Sequence, residues 1–177
     1  MKPGQPTLLL LSIGGLLALS LSLAEAKESD FNQPVTIDAG RQLVELVDNK
    51  VTFSERVEVK QGTMDVRADK LVVIRNEQGL QSMIAHGTPA TYYQILDSGK
   101  PVKAEAREIH YDMKARTITL LKEAKLKQND NIVTGYRIRY HIDKEQMEAE
   151  SQGGSDRVTT IFLPEQLQDM NKKETQN

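Results

Sequence analysis

Apolar and polar residues alternate singly along much of this chain. Val57-Glu58-Val59-Lys60 sets Val57 and Val59 on one face and Glu58 and Lys60 on the other. Ile109-His110-Tyr111, Ile118-Thr119-Leu120, Ala124-Lys125-Leu126-Lys127 and Ile138-Arg139-Tyr140-His141-Ile142 follow the same scheme. A period of two with one apolar face marks a half-buried strand. Turn-forming clusters interrupt the pattern at short intervals: Asp48-Asn49-Lys50, Gln61-Gly62, Asn76-Glu77-Gln78-Gly79, Asp97-Ser98-Gly99, Gln128-Asn129-Asp130-Asn131 and Gly153-Gly154. Val, Ile, Thr, Tyr and Phe dominate between them. The pattern predicts an all-β antiparallel fold of many short strands.

Two stretches repeat. An offset of 67 residues lays Val51-Thr52-Phe53 on Ile118-Thr119-Leu120, and Val57 to Gly62 on Ala124 to Asn129. Stacked short-strand units bury a shared core and leave raw edges at both ends. The first strand is predicted over Val35 to Ala39, just after Pro34, and the last over Arg157 to Leu163, ending at Pro164. Val35, Thr36 and Ile37 at one end, and Val158, Thr159, Thr160, Ile161 and Phe162 at the other, are the predicted docking strands. The second set carries no charge and suits addition of another strand. The competing reading has Glu165 to Met170 folding back to cover it.

The N-terminal stretch breaks the alternation. Lys2 precedes an apolar run from Leu8 to Leu23, and Ala24-Glu25-Ala26 forms an A-x-A site. Residues 1–26 therefore read as an export signal cut between Ala26 and Lys27. The run falls short of the roughly 20 apolar residues of a spanning helix, which disfavours an uncleaved anchor. The folded unit is predicted over 27–163. The segment 164–177 is polar and reads as disordered.

Composition narrows the chemistry. Lys and Arg number 23, Asp and Glu 25, for a net charge of −2. That balance argues against a nucleic-acid surface, which needs a cationic excess. There is no Cys, so no disulfide, thiolate nucleophile or Cys-built metal centre. There is no Trp, and only 5 Tyr and 3 Phe, so aromatic platforms for sugars or single strands are scarce. His86, His110 and His141 lack ligand-like spacing, and His110 and His141 fall on the face opposite Tyr111 and Tyr140. No Gly-x-Ser-x-Gly elbow occurs, and Gly153-Gly154-Ser155 has no P-loop lysine after it. Glu148/Glu150 and Glu105/Glu108 read as solvated faces. The expectation is a non-enzyme without metal or cofactor. Its apolar face is either a packed core or an open greasy groove, and alternation alone does not separate the two.

A wider set of residues carries a resemblance. Gln33-Pro34-Val35-Thr36-Ile37, Val51-Thr52-Phe53, Val57 to Thr63 and Ala68-Asp69-Lys70-Leu71-Val72-Val73 come first. Gly87-Thr88-Pro89-Ala90-Thr91-Tyr92-Tyr93, Gly99-Lys100-Pro101-Val102, Arg157-Val158-Thr159-Thr160, Leu163-Pro164 and Gln166-Leu167-Gln168-Asp169 follow. Taken in order, they resemble the OstA-like β-jellyroll family of periplasmic lipopolysaccharide-transport proteins. Where that family often has a Gly-Asn turn before the Val-x-Val strand, this chain has Glu55-Arg56.

The resemblance implies an open, twisted β-jellyroll in the periplasm. It implies a bridge from an inner-membrane export complex to an outer-membrane translocon, built by head-to-tail stacking of like folds. Lipopolysaccharide would travel with its lipid A acyl chains in the β groove. The expected inner, lipid-facing residues are Val35, Ile37, Phe53, Val57, Val59, Val66, Leu71, Val73, Ile84, Tyr92, Ile109, Tyr111, Ile118, Leu120, Leu126, Val133, Ile138 and Tyr140. The run Leu71-Val72-Val73-Ile74 is apolar on both faces, so its parity stays open. Lys70, Arg75, Arg137 and Arg139 are candidate rim contacts for lipid phosphates, or plain surface cations. Two competing readings remain: a lipid-free structural adaptor, and a secreted β-fold enzyme or sugar-binding module.

Overall fold

The computed structural model describes residues 30–77 and 79–161. The expected signal with its Ala26–Lys27 cut, Phe162, Leu163 and the polar tail lie outside the described residues.

The described chain is one antiparallel sheet. After a single 3₁₀ turn at Asp30–Asn32 come β1 (Thr36–Asp38), β2 (Arg41–Glu45), β3 (Lys50–Gln61), β4 (Met64–Asn76), β5 (Gly79–Ile95), β6 (Pro101–Asp112), β7 (Thr117–Gln128), β8 (Asn131–His141), β9 (Gln146–Glu150) and β10 (Thr159–Ile161). β3 to β8 follow one another as a meander. β1 and β2 share the outer side of β3, and β9 and β10 share the outer side of β8.

The middle strands are long, 11 to 17 residues, rather than the short ones alternation predicts. The two descriptions meet at a crease. Every pairing from β3 to β8 slips near its middle: at Ser54/Val57, Arg67/Lys70, His86/Ala90, Glu105/Glu108 and Leu121/Ala124. A bulge bends its strand and sharpens the local twist. Bulges aligned across neighbouring strands fold the whole sheet over. Its two halves then face each other, and each long strand is two short ones joined at the bend.

The repeat is structural as well as sequential. β3 and β7 are both 12 residues long and occupy matching positions at the 67-residue offset. Positive φ recurs at the offset: Asn49 and Arg116, Glu55 and Lys122, Arg56 and Glu123, Gly62 and Asn129. The Glu55-Arg56 pair thus adopts the left-handed bend at φ 70 and 58 although neither residue is Gly or Asn.

Cross-strand rows build the core. In one half, Phe53, Leu71, Ala85, Ile109, Leu120 and Ile138 stand side by side, and so do Val51, Val73, Met83, Tyr111, Ile118 and Tyr140. In the other half, Val59, Val66, Tyr92, Ala104, Leu126 and Val133 form the facing row. Apart from half-buried Phe53, these residues are all buried. Each large aliphatic removed from water contributes about 1.5–3 kcal/mol, so the rows hold the halves together.

Candidate functional site

Three features stand out on this frame: the interior, the seam where the halves meet opposite the crease, and the two sheet edges.

Val57, Val59, Val66, Leu71, Val73, Tyr92, Ile109, Tyr111, Ile118, Leu120, Leu126, Val133, Ile138 and Tyr140 are buried in the interior. Val35, Ile37 and Phe53 are half-buried against it. Ile84 is a correction. It pairs with Val72 and His110 in the outer row, while Met83 and Ala85 face inward. Ile84 and Tyr92 share parity in the sequence, but the bulge at Gly87–Ala90 lies between them and reverses the faces. The open parity of Leu71 to Ile74 resolves the same way: Leu71 and Val73 point in, Val72 and Ile74 out.

The interior is closely packed on its β3–β6 side. Where Val59, Val66, Leu71, Met83, Ala85, Tyr92, Ile109 and Tyr111 converge, the void measures about 10 Å³. Burial pushes the Tyr92 and Tyr111 phenols above their ordinary range. Tyr140 rises to about 12, through burial first and then the Glu145 charge. All three are neutral at ordinary pH.

The seam is polar. Lys100 Nζ lies 3.1 Å from Glu145 Oε2, and Gln128 Nε2 donates to Tyr140 Oη at 3.0 Å. Hydrogen bonding to Ser98, and then the Lys100 and Gln128 contacts, hold the Glu145 carboxyl below its usual value. At the same lip the 3₁₀ turn folds inward. Asp30, buried, accepts from the Thr63 backbone N–H at 2.9 Å, from the Thr63 hydroxyl and from Gln94 Nε2 at 3.0 Å. Tyr92 Oη donates to the Gln94 carbonyl oxygen. Phe31 lies against the Arg116 guanidinium, 3.6 Å from its ring centroid.

None of this polar cluster is legible in the alternation. Asp30, Gln61, Thr63 and Gln94 come from segments far apart in the chain. Leu96 and Val102 were more accessible, since they are the apolar residues flanking the Asp97-Ser98-Gly99 turn, and both are buried.

The edges carry exposed apolar residues. Among the described residues, every large exposed hydrophobic lies at one of them: Leu43, Val44, Leu46 and Val47 on β2 and its turn, Val158 and Ile161 at β10. Of the expected docking strands, β1 is shorter than predicted, and among the described residues β1 and β10 are each paired on one side only. Thr36 and Ile37 lie opposite Lys60 and Val59, and Thr159, Thr160 and Ile161 opposite Thr134, Val133 and Ile132. β2 extends the first edge and was not apparent from alternation.

The outer face is charged. His110 and His141 lie there, yet they are engaged rather than simply solvated: His110 meets Glu108, and His141 meets the Thr117 hydroxyl at 3.1 Å. Contact with His110, then the charges of His86 and Lys122, depress the Glu108 pKa against its partial burial. Lys70 and Arg75 are exposed, and Arg137 and Arg139 approach Glu150 at 3.6 Å and Glu148 at 3.8 Å. A concavity of about 500 Å³ also lies outside, around Tyr93, Lys103 and Lys125. Its charges largely satisfy one another, with Arg67 3.0 Å from Asp65 and Lys125 2.7 Å from Glu105.

Comparison with known proteins agrees with this geometry. The family described as "LptA/(LptD N-terminal domain) LPS transport protein" matches residues 36–146. The Escherichia coli protein named lipopolysaccharide export system protein LptA is 40% identical over 97% of this chain and 93% of its own. Its Haemophilus influenzae namesake is 39% identical over 86% of this chain and 90% of its own. The crystal structure of LptH, described as the LptA-homologous periplasmic component of the lipopolysaccharide transport device of Pseudomonas aeruginosa, superimposes with a TM-score of 0.71. It does so at 21% identity, over 77% of this chain and all of that one.

Proposed function

Since the chain belongs to the LptA/LptD N-terminal-domain family of lipopolysaccharide-transport proteins, we propose that it is a periplasmic carrier that holds lipid A acyl chains between the two halves of its folded sheet. It hands them along a bridge from an inner-membrane export complex to an outer-membrane translocon. Residues 1–26 direct export and are removed after Ala26. The chain performs no catalysis and needs no cofactor.

The observation that carries this reading is the pairing of an aliphatic interior with two one-sided edges, where the exposed apolar residues gather. Acyl chains gain about 0.8 kcal/mol for each CH₂ removed from water. Aliphatic walls supply this without directional bonds, so the lipid can slide. With an interior void of about 10 Å³ beneath Tyr92 and Tyr111, the halves must part at the seam to admit a chain. That movement breaks a few side-chain contacts, such as Lys100–Glu145, and leaves the backbone ladders of the crease intact. The free sides of β1–β2 and β9–β10 then accept further strands, from like folds or from a second copy, head to tail.

The close packing on the β3–β6 side favours one other reading, a lipid-free adaptor. Photo-crosslinking separates them. A benzophenone side chain at Tyr111 (inside) should form adducts with lipopolysaccharide, and one at His110 (outside) should not. No adduct at either position, in folded protein, establishes the adaptor.

A further inference from the structure

One row of the outer face sets three residues side by side. Tyr93 on β5 lies directly opposite Lys103 on β6, and Lys103 directly opposite Lys127 on β7. The Lys103 ammonium sits over the Tyr93 ring, 5.8 Å from its centroid. All three, with Thr91, line the concavity of about 500 Å³ on this face. That size suits a small ligand, since binding clefts run to about 300–1,000 Å³.

The ion pairs that satisfy most of its charges leave two over. Both lining carboxylates are taken, Asp65 by Arg67 at 3.0 Å and Glu105 by Lys125 at 2.7 Å. Lys103 and Lys127 remain, both exposed. Among the described residues Lys103 pairs with no carboxylate, and Lys127 approaches Asp130 only to 4.0 Å. Like charges directly opposite each other on neighbouring strands destabilise a sheet. An anion lying between the two ammonium groups removes that cost.

The rest of the wall narrows the ligand. At this row β5, β6 and β7 are paired on both sides, so only side chains recognise what lies here. A peptide bound by strand addition needs a free edge instead. A single tyrosine is too little to stack a run of bases. A sugar ring fits, with its C–H face on Tyr93 and its hydroxyls toward Thr91 and the paired side chains. Position adds to this. Gln128, next to Lys127, donates to Glu145 at 3.2 Å and to Tyr140 at 3.0 Å at the seam. The concavity therefore begins just outside the lip. We propose that the Tyr93–Lys103–Lys127 row binds an acidic saccharide, the phosphate- or carboxylate-bearing sugar chain of the lipid whose acyl chains lie between the halves. Sugar hydroxyls and charges are costly to bury in an aliphatic interior. The sugar chain therefore leaves through the seam and turns over the Gln128 lip onto the outer face. The assignment to the transported lipid rests on the carrier reading; the saccharide site itself does not.

The test has two arms on the purified full chain. In the first, the water-soluble phosphorylated oligosaccharide released from lipopolysaccharide by mild acid is titrated in. The Tyr93, Lys103 and Lys127 amide signals are followed by NMR, with His110 and Arg139, on the outer face of the other half, as controls. Saturable shifts at the row and none at the controls are expected. Lys103→Gln combined with Lys127→Gln should weaken binding about fivefold, as loss of two exposed charge contacts does. The melting temperature should stay unchanged or rise, since the opposed charges are gone. No saturable shift, or an unaltered affinity in the double variant, overturns the site. Equal binding of maltotriose, a neutral oligosaccharide, overturns its preference for acidic sugars.

The second arm compares capture of complete lipopolysaccharide with capture of lipid A alone, read by the benzophenone crosslink at Tyr111. The double variant should capture complete lipopolysaccharide about fivefold more weakly and lipid A as well as before. Equal loss for both lipids, or loss for neither, overturns the assignment to the transported lipid. Saturable shifts in the first arm then give the site to a free acidic glycan. If the unsubstituted chain captures neither lipid, the carrier reading fails while the NMR arm still decides the saccharide site.

Discussion

The β3–β4 and β7–β8 hairpins have the same backbone and different surroundings. Ser54 pairs with Lys70 and Val57 with Ala68; 67 residues on, Leu121 pairs with Arg137 and Ala124 with Gly135. Their outer edges diverge. β3 carries β2, with exposed Leu43 and Val44, whereas β8 carries β9, whose Glu148 and Glu150 lie opposite Arg139 and Arg137. Their turns diverge too: Gly62 makes room for Asp30, whereas the matching left-handed position is held by Asn129. A duplicated frame thus ends in two unlike edges: β2 exposes Leu43 and Val44, while the β8 side carries the Glu148 and Glu150 pairs of β9 beside the exposed Val158 and Ile161. Unlike ends favour growth in one direction, since each end presents a different surface to the next copy.

The largest expected effect comes from charging the shared core. Leu120→Asp or Ile138→Asp on one hairpin, and Leu71→Asp on the other, should each cost more than about 4 kcal/mol or abolish folding, since an unpaired charge enters a dry interior. Circular-dichroism melts would show it, and a fold that survives at either hairpin would break the equivalence of the two.

Next come the edges. Thr160→Pro removes an N–H from β10, and Val44→Lys places a charge on β2. Each should shift assemblies toward monomer in size-exclusion light scattering, because strand addition needs an unobstructed edge. An unaltered size distribution in both variants would count against docking through these strands.

The two turns should respond oppositely. Gly62→Ala forces a Cβ onto Asp30 and should lower stability by about 1–3 kcal/mol, at positive φ and with a clash. Asn129→Gly relieves a left-handed residue and should be neutral or stabilising by up to about 1 kcal/mol. Equal losses at both would mean the Asp30 contacts contribute nothing.

The smallest effect concerns acid. The Glu145 carboxyl titrates below its unfolded value of about 4.3, as does Glu108. Their contribution is therefore complete above that pH and fades as pH falls through the lower folded values. Glu145→Gln should flatten the acid limb of a melting-temperature profile slightly, and Glu108→Gln likewise on the outer face.

Much of the buried interior was legible because period-two alternation is local. Ile109, Tyr111, Ile118, Leu120, Ile138 and Tyr140 lie in runs without an interrupting bulge, and their faces follow from neighbours one or two positions away. Ile84 was misplaced, and alternation does not record the bulge between His86 and Ala90 that sets its face apart from that of Tyr92. β2 escaped for a related reason. Its Leu43 and Val44 are adjacent and both exposed, so no alternation is present to find.

By itself, the sequence determined the β class, the repeat at 67 residues, the turn positions and the inward faces within each uninterrupted run. These rest on side-chain period and turn chemistry, which act over a few residues. Only the tertiary structure decided that the bulges line up into one crease, that Asp30 reaches the Thr63 amide, and which of the described strands are paired on one side. Each of these depends on partners tens of residues away, brought together once the two halves of the sheet bury their common face.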